Sequence, residues 1–87
     1  LVRVTPSGGG AGFILAAPGN AKQRATIGQQ GAGRVWLFLE TDDFATAHAR
    51  LEGANVHFEE TPGIEPCGTV AVFRDPFGNR WDLIQFT

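Results

Sequence analysis

The amino-acid sequence predicts an α+β domain: a βαβββ module over residues 35–87, preceded by a β-hairpin. Three observations carry this. "RVWLFLET" is an apolar run rich in β-formers, the pattern of a largely buried strand. "DDFATAHARLEG" then changes period, setting Phe44, Ala47 and Leu51 on one helical face. "TVAVFR" and "RWDLIQF" read as two strands joined by the turn "DPFGN".

From the start of the chain, "LVRVT" and "FILAA" read as short strands across the Gly-rich "PSGGGAG". Residues 1–17 thus form a hairpin, like the end of an earlier unit that lacks its beginning. Residues 18–34 are a linker with a short helix over 21–27, capped by Asn20 and ended by Gly28. In the module, Asp42 or Asp43 caps the helix by accepting backbone N–H bonds, and Gly53 suits its end. "NVHFEE" is a short strand and "TPGIEPCG" a loop.

The "DPFGN" turn has a mechanism. The Asp75 side chain bonds its own downstream backbone, Pro76 presets φ, and Gly78 or Asn79 accepts positive φ. If Arg74 pairs with Arg80, alternation separates the two faces. Ala71, Phe73, Trp81 and Leu83 share the more apolar face and should meet the helix, joined by Val35, Leu37 and Leu39. Val70, Val72, Arg74, Arg80, Asp82 and Ile84 share the other, which Trp36, Phe38 and Glu40 extend.

Composition narrows the function classes. The chain has 87 residues, 43% of them hydrophobic, and a formal charge of −2, the profile of one small globular domain. Its seven Lys and Arg are scattered, so no basic stripe points to nucleic acid or an anionic membrane. No apolar run has the length of a membrane span, and no signal-peptide pattern is visible. The single Cys67 has no cysteine partner and reads as packing, so a cytoplasmic protein is expected. The chain opens on Leu1 rather than Met, as a processed product or a partial reading frame would.

"VWLFLETDDFATAHARLEGANVHFEE" followed by "GTVAVFRDPFGNRWDLIQ" resembles the second βαβββ module of the vicinal-oxygen-chelate superfamily. That group includes glyoxalase I, bleomycin resistance proteins and extradiol dioxygenases. The resemblance implies two modules paired into a curved eight-stranded cup. It also implies metal ligands near the start of each module's first strand and on its last strand. The last-strand acid position matches Asp82. The first-strand position matches Trp36, and the earlier module's last-strand position matches Phe13; neither residue binds metal. Asp82 is therefore a weak metal candidate standing alone, and no cofactor is expected.

The resemblance places Trp36, Phe38 and Glu40 toward the cup, as an aromatic wall with a polar anchor. Asp82 is a hydrogen-bond acceptor or general base inside the cup, or else a carboxylate paired with Arg74 or Arg80. The candidate ligand-binding set is Phe13, Trp36, Phe38, Glu40, Arg74 and Asp82. His48 and His57 lack ligand spacing and read as surface or satisfied histidines, His57 being nearer the cup. "SGGGAG" lacks the Lys-Ser/Thr ending of a phosphate loop and reads as a hairpin loop. Glu59 and Glu60 read as a solvated strand end.

The expected function is metal-free small-molecule binding at a dimer cleft. An open apolar face and sheet edge predict a homodimer, two copies supplying the cup or exchanging the first hairpin. One alternative is a lyase or dioxygenase whose divalent metal takes ligands from outside this segment. The other is a relic that only dimerises.

Overall fold

In a computed structural model describing residues 1–87, "RWDLIQF" becomes β7 (Arg80–Phe86), a central strand with neighbours on both sides. On one side lies β6 (Gly68–Arg74), antiparallel, with Arg74 opposite Arg80 and Val72 opposite Asp82. On the other lies β3 (Val35–Glu40), running parallel to β7. A parallel pair needs a crossover, and α2 (Phe44–Gly53) begins it. The far edge of β6 carries two short antiparallel strands, β4 (His57–Phe58) and β5 (Gly63–Glu65).

The register confirms the two faces of β6 and β7, but it moves Val35 from the expected helix side to the row of Arg80, because β3 bulges after it. Phe44 of α2 packs with Ala71, Phe73 and Leu83. Ala47, Leu51, Val56, Phe58 and Trp81 border this core. Leu83 is fully buried, and burial of such a side chain contributes about 1.5–3 kcal/mol. The helix starts where Asp43 Oδ1 accepts the Thr46 N–H at 3.3 Å. It ends at Gly53, as expected, but the left-handed residue lies beyond the glycine. Gly53 is still helical, and Asn55 two residues on takes the left-handed conformation, φ 64°. Asparagine tolerates that region better than most side-chain-bearing residues.

Three further expectations need correction. β3 is not largely buried: Trp36, Phe38, Leu39 and Glu40 are exposed. The cause is position, since β3 is an edge strand paired only with β7. The stretch "TPGIEPCG" is not all loop, because Gly63, Ile64 and Glu65 pair with Val70, Thr69 and Gly68. Finally, the ladder slips between Val35 and Leu37, leaving Trp36 without a partner in a bulge.

The rest of the chain attaches at the turn. β1 (Val2–Val4) and β2 (Phe13–Leu15) form a separate antiparallel pair whose residues are all exposed. Phe13 meets Trp81 edge to face, ring centroids 5.7 Å apart. A short helix α1 (Ala21–Thr26) follows, Asn20 Oδ1 accepting the Gln23 N–H at 2.8 Å. Beyond it, Gly28 adopts φ 82°, where a Cβ would strike the Phe77 carbonyl. That close approach lets Gln30 Oε1 accept the Asn79 amide at 2.7 Å across the sequence.

Candidate functional site

The face of the sheet opposite α2 is built in rows. Parallel and antiparallel register place Phe38, Asp82 and Val72 side by side, on β3, β7 and β6. The next row holds Glu40, Ile84 and Val70. The row on the turn side holds Val35, Arg80, Arg74 and His57. Val72 and Ile84 are buried, whereas Phe38 is 63% exposed. The result is an apolar floor with one open aromatic edge, a central carboxyl and a basic end.

The central carboxyl is strained electrostatically. Asp82 Oδ1 is shielded from solvent and has no hydrogen-bond partner. Burial pushes its pKa above the ordinary aspartate value, and the Glu60 charge adds to this. A backbone contact from Ala71 and the Arg80 charge pull the other way. A shielded, unpaired carboxyl oxygen accepts a hydrogen bond from a ligand when ionised and donates one when protonated.

Neither arginine pairs with Asp82, because Glu59 holds both. Its Oε2 lies 2.9 Å from Arg80 Nε and 3.0 Å from Arg74 Nε. Arg80 Nη2 also donates to Glu59 Oε1 at 3.1 Å, giving a two-point contact. The Arg80 hydrogen bond is the main reason the Glu59 carboxyl titrates below its ordinary value. Glu59 is therefore no solvated strand end; its side chain is 23% exposed.

Four of the six sequence-predicted residues thus share one face: Phe38, Glu40, Arg74 and Asp82. The other two stand apart. Phe13 lies against Trp81, which belongs to the helix-facing side. Trp36 sits in the bulge beside Gly31, where a glycine Cβ would come within 2.9 Å of the Trp36 Cβ. His57 aligns with Arg74 on the site face. His48 stacks between Phe44 and Phe58 instead, 4.1 Å centroid to centroid from Phe58.

Sequence reading missed Glu59, Gln30 and Asn79. Only the charge of Glu59 was a signal, and nothing local distinguished it from Glu60. Its partners stand 15 and 21 residues away.

A divalent ion does not fit the side chains of this chain. The neighbours of Asp82 in its row are Phe38 and Val72, and no three of His, Cys, Asp and Glu cluster as ligands. A zinc-type site needs three or four protein ligands.

A family model described as "Glyoxalase/Bleomycin resistance protein/Dioxygenase superfamily" matches residues 2–83. The chain belongs to that superfamily. It is 42% identical over 80 residues to a protein of Shewanella frigidimarina, covering 92% of this chain and 59% of that relative's length. It is similar to TnmS3, an antibiotic binding protein from Streptomyces sp. CB03234, with 38% identity and TM-score 0.55. That match covers 60% of this chain and 42% of TnmS3. A superfamily member from Sphaerobacter thermophilus, 24% identical, shares the fold with TM-score 0.68 over 95% of this chain and 64% of its own. The matched stretches therefore span 42% to 64% of the length of these proteins. No helix is long and apolar enough to cross a membrane.

Proposed function

We propose that this chain supplies one wall of a metal-free, small-molecule binding cup. The ligand lies along Phe38, Val72 and Ile84, with Asp82 as its central polar anchor and Glu40 and Arg74 at the ends. The observation that carries this is the shielded, partnerless Oδ1 of Asp82 in an otherwise apolar floor. A buried polar atom left unpaired costs about 1–3 kcal/mol, and a ligand donor recovers it once the carboxyl turns to meet it. Similarity to an antibiotic binding protein supports the same reading.

The opposite wall is a second module, supplied by another copy of the chain in a homodimer. The exposed β3 edge and Phe38 offer the surface for it. In this reading the protein works in the cytoplasm, and its single Cys67 suits a reducing compartment.

The test is a thermal-shift screen of aromatic antibiotics and related small molecules, with metal analysis of the same sample. Binding that weakens in Asp82→Asn and Phe38→Ala, in protein without stoichiometric metal, is the expected result. A stoichiometric divalent metal lost in Asp82→Ala would overturn the metal-free reading and favour a lyase or dioxygenase. A monomer by light scattering would remove the homodimeric wall.

A further inference from the structure

A second polar cavity lies at the turn end of the sheet, outside the apolar floor. It measures about 60 Å³ and has no hydrophobic residue in its lining. Residues 28–34 form one wall, and the turn with Arg74 and Arg80 forms the other. Three arginines, Arg34, Arg74 and Arg80, are among its lining residues, and no acidic residue is.

Two of these arginines are held in place. Glu59 grips Arg74 and Arg80. The carbonyl oxygen of Gly78 accepts from Arg74 Nη1 at 3.0 Å, and that of Gly33 accepts from Arg80 Nη1 at 3.2 Å. The third, Arg34, is exposed and its side chain makes no ion pair or hydrogen bond. The lining glycines Gly31 and Gly33 donate their amides to no protein atom. Glu60 and Asp82 lie within electrostatic range of Arg80. The cavity thus selects by its donors rather than by a large net charge.

We propose that this cavity binds the oxyanion group, carboxylate or phosphate, of a small molecule. Arg74 and Arg80 form a fixed floor, and Arg34 closes over the anion. Glu59 takes the Nε–Nη2 edge of Arg80 and the Nε of Arg74. The anion therefore meets the remaining Nη hydrogens of these two ordered side chains and the free planar fork of Arg34. A carboxylate or phosphate accepts from several of these donors at once, whereas a neutral hydroxyl does not. The inference stands whether or not the apolar floor holds a ligand.

Titration with inorganic phosphate and, separately, with acetate tests it, followed through backbone amide and arginine Nε resonances. Saturable shifts confined to the lining, at the Gly28, Gly31, Gly33 and Gly78 amides and the Nε of Arg34, Arg74 and Arg80, are expected with at least one of the two. The stronger anion then names the source chemistry. Arg34→Gln should weaken binding about tenfold, the scale of one charge-assisted hydrogen bond. Arg24→Gln, on the exposed α1, should leave it unchanged. Equal effects of the two variants, or no saturable shift with either anion, would overturn the proposal. Arg34 has no structural partner, so loss of fold does not confuse the outcome.

Discussion

The Asp75 carboxylate ties the β6–β7 turn to the sheet: its Oδ2 accepts the Trp81 indole N–H at 3.0 Å. Its Oδ1 accepts the amides of Phe77 and Asn79 at 2.9 and 3.0 Å. Three donors thus converge on one side chain. Trp81 in turn stacks on Phe73 of the core and receives Phe13 from the first hairpin. Asp75→Asn keeps the shape but sets an NH₂ against either the amides or the indole N–H. We expect a loss of about 2 kcal/mol, read from urea unfolding. An unchanged midpoint would show that the turn holds without this carboxylate.

Asp82 should make the protein less stable as pH rises. Its folded pKa is raised, so the folded state holds its proton where the unfolded chain has released it. Stability from this group is present below the ordinary aspartate value of 3.8 and is lost as pH climbs through the folded value. Asp82→Asn should therefore be more stable than the parent at pH 7, with the gain shrinking in acid. Thermal unfolding at pH 4 and pH 7 measures the difference. A loss of stability at pH 7 would contradict the unpaired carboxyl.

Glu59 carries the opposite sign. Its pKa is lowered, chiefly by the Arg80 hydrogen bond. Its contribution is present above the ordinary value of 4.5 and fades as pH falls through the folded value. Glu59→Gln should cost about 1 kcal/mol at neutral pH, because the pair is partly exposed. The cost should shrink with added salt and in acid. It should also loosen Arg74 and Arg80, visible as broader Nε resonances.

His48 offers a stabilising substitution. Its Nδ1 lies 3.2 Å from Glu52 Oε1, but its Nε2 is buried without a partner. The ring is already sandwiched by Phe44 and Phe58. His48→Phe keeps the stack and removes the orphaned nitrogen, so stability should rise by about 1 kcal/mol. A lower melting temperature would show that the Glu52 contact outweighs it.

Much of the module was readable before folding because its determinants are local. Alternation along 69–74 and 80–86 assigned both faces, and the Asp75 turn aligned them. Phe44, Ala47 and Leu51 marked the core side of α2, which the structure confirms. Periods of two and 3.6 residues, and side chains that bond backbone two to four positions away, need no distant partner to be recognised.

The site was only half readable, because its decisive contacts are distant. Phe38, Glu40, Arg74 and Asp82 follow from strand alternation. The bulge that removes Trp36 from its row depends on the fit of β3 to β7. Phe13 goes to Trp81, 68 positions away, rather than toward Asp82. Glu59 takes Arg74 and Arg80, leaving Asp82 alone, and Gln30 reaches Asn79 across 49 positions. Residue chemistry allowed either acid to take those arginines. The choice was made by chain packing, which brought Glu59 to both guanidinium groups and left the Asp82 Oδ1 shielded and without a partner.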